Sequence, residues 1–145
     1  IDAALSGRRP IVRSDGSPER DFLYVEDAVQ GYLAIWEALG RAQGRGEAFN
    51  AGGGQPHRVL DVVELICRLA GADVEPDVRG AGTPKGEIDR QWVDASKLRE
   101  MTGWEPEHTL EQGLERTLDW YRASGREPAH ADRDHPRLLR DIRRR

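Results

Sequence analysis

Arg20-Asp21-Phe22-Leu23-Tyr24-Val25-Glu26-Asp27-Ala28 is the stretch on which the fold turns, because it joins an arginine to a short apolar run and then to an acidic helix start. Aromatic and branched residues from Arg20 to Val25 predict a strand, and Glu26 and Asp27 suit the positive amino end of a helix dipole. Beyond them Val29, Tyr32, Leu33, Trp36 and Leu39 recur at helical spacing, so a helix is expected over 26–39, with Tyr32 at core spacing, Trp36 packed against other helices and Gly40 as its stop. Upstream, Ile1 to Leu5 reads as a helix end stopped by Gly7, and Pro10-Ile11-Val12-Arg13 as a strand. The turn formers Ser14-Asp15-Gly16-Ser17-Pro18 return the chain, so the two strands are expected to pair.

Further along, Ala48-Phe49-Asn50 predicts a brief strand that runs into Gly52-Gly53-Gly54. Leu60, Val63, Ile66, Cys67 and Ala70 share one face of a helix over 59–70, with Gly71 placed as its C' residue and Arg58 where a capping side chain would stand. Val74 to Val78 is a weak strand around Pro76, and a glycine- and proline-rich loop follows from Arg79 to Gly86. Gln91-Trp92-Val93 is a short extended piece, after which Asp94 is expected to cap a helix that runs through Leu98 and Met101 to Gly103. Thr109 and Gln112 form a capping-box pattern that opens a helix with Leu110, Leu114, Leu118 and Tyr121 on one side. The fold class is α/β, with one domain over 1–124 and a polar, arginine-rich tail over 125–145.

Composition narrows the function. The chain has 145 residues, 33% of them charged, and a formal net charge of -4, which gives no overall attraction for nucleic acid or an anionic membrane. The arginines at 137, 140 and 143–145 are diluted by Asp132, Asp134 and Asp141, so the basic end reads as a solvated tail. Apolar runs are interrupted long before the roughly 20 residues a membrane span requires. The single cysteine, Cys67, leaves no internal disulfide, is expected in the core, and fits a cytoplasmic setting. His57, His108, His130 and His135 show no metal-ligand spacing. A start at Ile1, in what reads as a helix end, suggests a piece of a longer protein.

Several residues carry chemistry in more than one reading. Gly52-Gly53-Gly54 invites a dinucleotide fingerprint, but the third glycine would fall where His57 stands, so a plain turn competes with it. Asn50 can hold a turn or donate to a ligand phosphate or sugar. Arg20 has the planar fork for bidentate contact with a pyrophosphate, or can pair on the surface with Glu19 or Asp21. Lys85 and Glu87 lie in the glycine-proline loop, where they can meet a phosphate and ribose hydroxyls or simply be solvated. No Tyr-x-x-x-Lys pair is present, since Tyr24, Tyr32 and Tyr121 are followed four residues later by Ala28, Trp36 and Gly125. No residue is therefore put forward as catalytic.

The order of motifs resembles the carboxyl-terminal half of an extended short-chain dehydrogenase/reductase, in the NAD-dependent epimerase/dehydratase family. The residues that carry it are Arg20 to Asp27, Phe49-Asn50-Ala51-Gly52-Gly53, Val59 to Ile66, Asp94-Ala95-Ser96-Lys97, Gly103-Trp104-Glu105-Pro106, Leu110 to Leu114 and Trp120-Tyr121. Among its members the sugar-nucleotide 4,6-dehydratases, including the CDP-glucose type, are nearest, with UDP-glucose 4-epimerases close behind. The resemblance implies a substrate-binding lobe in which Arg20 contacts the pyrophosphate of a nucleotide sugar and Asn50 lies in the nucleotide pocket. The loop from Thr83 to Glu87 would close on the nucleotide, although relatives often carry arginine where Pro84 stands. NAD(P) would be held, and catalysis performed, by a half lying before Ile1, which would also carry any homodimer contact.

Overall fold

The structure is a computed structural model that describes residues 1–41, 44–82, 86 and 88–124. Ten elements follow in chain order: α1 (Asp2–Leu5), β1 (Ile11–Val12), β2 (Glu19–Asp21), α2 (Val25–Gly40), β3 (Pro56–Arg58), α3 (Val59–Ala70), β4 (Asp77–Val78), β5 (Arg90–Gln91), α4 (Ser96–Thr102) and α5 (Leu110–Ala123). The expected α/β mixture is present, with strands shorter than the sequence suggests. The residues beyond 124, and with them the arginine tail, lie outside the described residues.

Strand pairing differs from the expectation. β1 pairs in parallel with β4, joining Ile11 to Asp77 and Val12 to Val78, and does not pair with β2. β2 is the middle of a second sheet, antiparallel to β3 and parallel to β5. The intervening turn is spent otherwise: Gly16 and Pro18 offer their carbonyls to the amides of Leu60 and Val59, which anchors the start of α3. Gly16 is at φ 81°, and a Cβ there would stand 2.5 Å from the Cβ of Leu60, so only glycine lets the turn lie on the helix. β3 was not foreseen, because it is three residues long and begins with proline; as an edge strand it needs no amide there. Ala48 to Asn50, expected as a strand, joins no ladder among the described residues.

Local signals in the helices fare better. α3 ends at Gly71 in the left-handed region, φ 71°, and Cys67 is buried on it as expected. Its amino end has no side-chain cap, consistent with Arg58 at that position. α5 opens with the capping box: the Gln112 amide donates to Thr109 Oγ1 at 3.2 Å, and the Thr109 amide donates to Gln112 Oε1 at 2.9 Å. Thr109→Ala removes one half of this exchange and is expected to lower stability by about 1 kcal/mol, read as a shift in the urea midpoint. For α4, Asp94 sits one residue before the cap position, held by Ala95, and its Oδ1 accepts from the amide and hydroxyl of Ser96 at 2.9 and 2.5 Å. Those bonds hold the Asp94 carboxyl below the usual aspartate range.

The core lies where α2, α4 and Trp104 meet. Ala95, Leu98 and Trp104 are buried, with Leu23, Ala34, Ile35 and Phe49 packed against them. Gly31 lets the indole lie directly on α2, since a Cβ there would be 3.2 Å from Trp104 Cε2. Leu118 of α5 is fully buried, and α3 rests against both α5 and α1. The expected core stripe of α2 is different. Tyr32 is 74% and Trp36 71% exposed, with Val25, Val29 and Leu33 exposed as well. The buried positions of α2 are Asp27, Gly31 and Ala38, on the opposite side. Trp120 on α5 is half-exposed and meets Tyr121 edge-on, with ring centres 5.2 Å apart.

Candidate functional site

Arg20 stands in the centre of the three-stranded sheet. The register sets it opposite His57 on β3 and Gln91 on β5, so alternation of the pleat puts these three side chains on one face. Glu19 and Arg90 occupy the other face, where they pair at 2.6 Å and Arg90 lies 4.7 Å from the Trp92 ring centre. The Arg20 guanidinium is oriented by two backbone carbonyls: Nη1 donates to that of Glu19 at 2.8 Å and to that of Ile88 at 2.7 Å. Both bonds are to carbonyl oxygens, and the second of them ties the loop before β5 to β2.

Beside it is a cavity of about 260 Å³ lined by Arg20, Asp21, Leu23, Ala51, Gly52, Gln91, Trp92 and Val93. The fold thus brings Arg20 to the loop that follows Asn50. Asn50 does not line this cavity; its Nδ2 donates to the Asp94 carbonyl at 3.3 Å, joining the loop to the start of α4. Lys85 and Glu87 lie outside the described residues.

Asp21 organises the cavity, although the sequence marks it only as a neighbour of Arg20. Its Oδ1 accepts from the Gly53 amide at 2.8 Å and its Oδ2 from the Val93 amide at 3.4 Å, so one carboxylate joins the glycine turn to the exit of β5. The glycines are required by close approach. A Cβ on Gly52 would stand 2.4 Å from both Asp21 Oδ2 and Val93 Cγ2, and one on Gly53 would stand 2.5 Å from the Phe22 carbonyl.

Asp27 is the second residue whose role the sequence conceals. It lies at the acidic start of α2, as expected from the dipole, yet only 2% of it is exposed. Its carboxylate accepts from the amides of Glu107 and His108, each at 3.2 Å, and meets His108 Nδ1 at 2.8 Å, while its carbonyl takes the Trp104 indole N–H at 3.1 Å. His108 in turn packs edge-on against Tyr24, with ring centres 4.9 Å apart. This lock binds the helix that follows β2 to the Gly103-Trp104-Glu105-Pro106 segment, and so fixes the end of the strand that carries Arg20.

The same residue order is found in known proteins. A family model described as GDP-mannose 4,6 dehydratase matches residues 1–117. The chain belongs to the NAD-dependent epimerase/dehydratase family. This family member is 36% identical over 129 residues to dTDP-glucose 4,6-dehydratase of Xanthomonas campestris pv. campestris, covering 83% of this chain and 36% of that protein. Among solved structures, it resembles UDP-glucose 4-epimerase of Thermotoga maritima with UDP-glucose, at 30% identity and a TM-score of 0.73, over 85% of this chain and 38% of that one. It also resembles dTDP-glucose 4,6-dehydratase of Bacillus anthracis in complex with NAD, at 32% identity and a TM-score of 0.70, over 85% and 37%. The chain therefore spans little more than a third of the length of these relatives.

Solved members of the family bind NAD(P). The glycine turn of this family member does not fit that group. The space in front of Gly52 and Gly53, where a pyrophosphate would have to approach, is filled by the Asp21 carboxylate and the Phe22 carbonyl. Among the described residues no group of three or more His, Cys, Asp or Glu is placed to hold a metal ion, and no helix is long and apolar enough to cross a membrane.

Proposed function

We propose that residues 1–124 form the substrate-binding lobe of a nucleotide-sugar dehydratase or epimerase, in the first instance a 4,6-dehydratase acting on a nucleoside-diphosphate hexose. The observation that carries this reading is Arg20, oriented by two carbonyls beside a 260 Å³ cavity in a chain of this family. A guanidinium presents five N–H donors in a fixed planar fork, which suits the oxygens of a diphosphate. Holding it by backbone carbonyls reduces the ordering that binding must otherwise supply. Dehydratases and epimerases both need such a hold, because the sugar must be presented to a cofactor in one orientation.

Arg20 is the proposed pyrophosphate contact. Asn50 is proposed to position the loop that borders the nucleotide, and Lys85 and Glu87 to reach phosphate and ribose. The relatives named for dTDP-glucose make the 4,6-dehydratase reading the first choice, while the relative solved with UDP-glucose supports the epimerase as the second. With no Tyr-x-x-x-Lys pair, the 145 residues alone are expected to bind without turnover.

Calorimetry with dTDP-, UDP-, CDP- and GDP-glucose tests the lobe. At least one ligand is expected to bind, and Arg20→Ala to weaken it at least tenfold, which is about 1.4 kcal/mol. An unchanged affinity in that variant removes Arg20 from the site, and silence from every nucleotide sugar removes the reading. Reduction of added NAD in the presence of a nucleotide sugar would show turnover and contradict the binding-only expectation.

A further inference from the structure

A cleft of about 480 Å³ opens between α3 and the segment that leads into β4, away from Arg20 and the glycine turn. Leu60, Val74 and Val78 give it apolar walls, and Val78 is 43% exposed. Glu64, Asp73 and Glu75 bring three carboxylates to the same cleft, and none of them forms an ion pair or accepts a hydrogen bond among the described residues. Arg68, the one basic residue in the lining, is already paired with Glu111 at 3.2 Å, and Arg9 reaches only the backbone carbonyls of Glu75 and Pro76. The cleft thus joins apolar walls to negative charge that no side chain answers. Acidic residues on a surface are ordinary; what distinguishes these is the chain that begins beside them.

α5 delivers that chain to the cleft. Near its end Arg122 Nη2 donates to the Leu69 carbonyl at 3.3 Å, and Leu69 lies between Arg68 and Ala72, which both line the cleft. The 21 residues after Ser124 hold seven arginines against four acids, whereas residues 1–124 carry a net charge of -7. Leu138, Leu139 and Ile142, the apolar residues of 137–145, succeed one another at the spacing of a single helical face, and Arg137, Arg140 and Arg143 flank them. Three apolar residues among arginines are the complement of three apolar residues among carboxylates. Reach is no obstacle: the 13 residues from Gly125 to Arg137 span roughly 40 Å when extended, several times the roughly 8–10 Å between packed helices.

We propose that residues 137–143 of this chain dock in the cleft between α3 and β4. Leu138, Leu139 and Ile142 lie against Leu60, Val74 and Val78, and Arg137, Arg140 and Arg143 face Glu64, Asp73 and Glu75. The occupant is the chain's own carboxyl-terminal segment. Tethering favours it over a free partner, because a segment on so short a connection is present at an effective concentration on the order of millimolar, at which even a weak contact is populated. An apolar stripe laid in a groove, with charges matched around it, is a recurring mode of peptide recognition. The docked segment leaves the Arg20 cavity open, since the two sites share no lining residue. The proposal is independent of whether Arg20 holds a diphosphate.

Paramagnetic relaxation tests the docking on the full 145-residue chain. Arg144→Cys carries a nitroxide just beyond the docked residues, and Cys67→Ala leaves that thiol as the single one to label. The amide signals of Glu64, Ala72, Val74 and Val78 are expected to lose intensity several-fold relative to the reduced label. Glu64→Arg with Asp73→Arg is expected to restore them, and adding Arg137→Glu with Arg140→Glu to bring the loss back. Signals that keep their intensity overturn the proposal, and so does a loss that survives the reversed charges. A loss seen only when spin-labelled chain is mixed with isotope-labelled chain assigns the cleft to a second copy and overturns it too. Should Cys67→Ala fail to fold, hydrogen exchange on the chain with its cysteine in place reads the same contact. Leu139→Asp with Ile142→Asp is then expected to speed exchange at the amides from Ala72 to Val78 several-fold, and unchanged exchange rejects the docking.

Discussion

Asp27→Ala is expected to lower the unfolding free energy by about 3–4 kcal/mol, because it strands three partly or fully buried donors at roughly 1–3 kcal/mol each, with some relief from water. The donors are the amides of Glu107 and His108 and the ring nitrogen of His108, all directed at one carboxylate that solvent barely reaches. Asp27→Asn keeps the shape and one acceptor oxygen, so roughly half that loss is expected. Urea denaturation followed by tryptophan fluorescence reads both, since Trp104 is buried beside the lock and bonded to the Asp27 carbonyl. If the alanine variant loses less than about 1 kcal/mol, the carboxylate is not the tie between α2 and the following segment that its geometry describes.

Gly52→Ala is expected to cost about 2–3 kcal/mol and, with it, most of the nucleotide affinity, because the added methyl overlaps a carboxylate that is itself pinned. The collision is with Asp21 Oδ2 and Val93 Cγ2, each 2.4 Å from the new Cβ. Relief requires Asp21 to leave the amides of Gly53 and Val93, which opens the cavity wall beside Arg20. Gly54→Ala is the control. Gly54 adopts φ 81° with open space around it, so it carries only the left-handed penalty of roughly 1–2 kcal/mol and should leave the cavity intact. Equal losses of nucleotide affinity in the two variants would mean that the turn's conformation matters there and the close approach does not.

How much of this was legible beforehand depended on the range of the interaction involved. Gly71 after α3 and the Thr109–Gln112 box are contacts within one turn of chain, and the residue types alone predict them. The partners of β1 and β2 were misassigned because a turn between two strands says that the chain reverses, and not which ladder it joins. β1 meets a strand 66 residues away, and no local signal reaches that far. Asp27 shows the same limit in a side chain: an acidic residue at a helix start is explained by the dipole, so nothing in the sequence demands the amides of Glu107 and His108.

By itself the sequence determined where the longer helices lie, the glycine stop of α3 and the capping box of α5, the α/β class, the position of Arg20 before an acidic helix start, and a motif order that resembles one family. Those follow from propensity, capping and periodicity, which act over a few residues. Only the tertiary structure decided that Arg20 is held by the carbonyls of Glu19 and Ile88, that Asp21 closes the glycine turn, and that the apolar seam of α2 faces away from the core. Periodicity names the residues that share a face, but what the face meets depends on which long-range contacts bury the most apolar surface and leave the fewest polar groups unpaired.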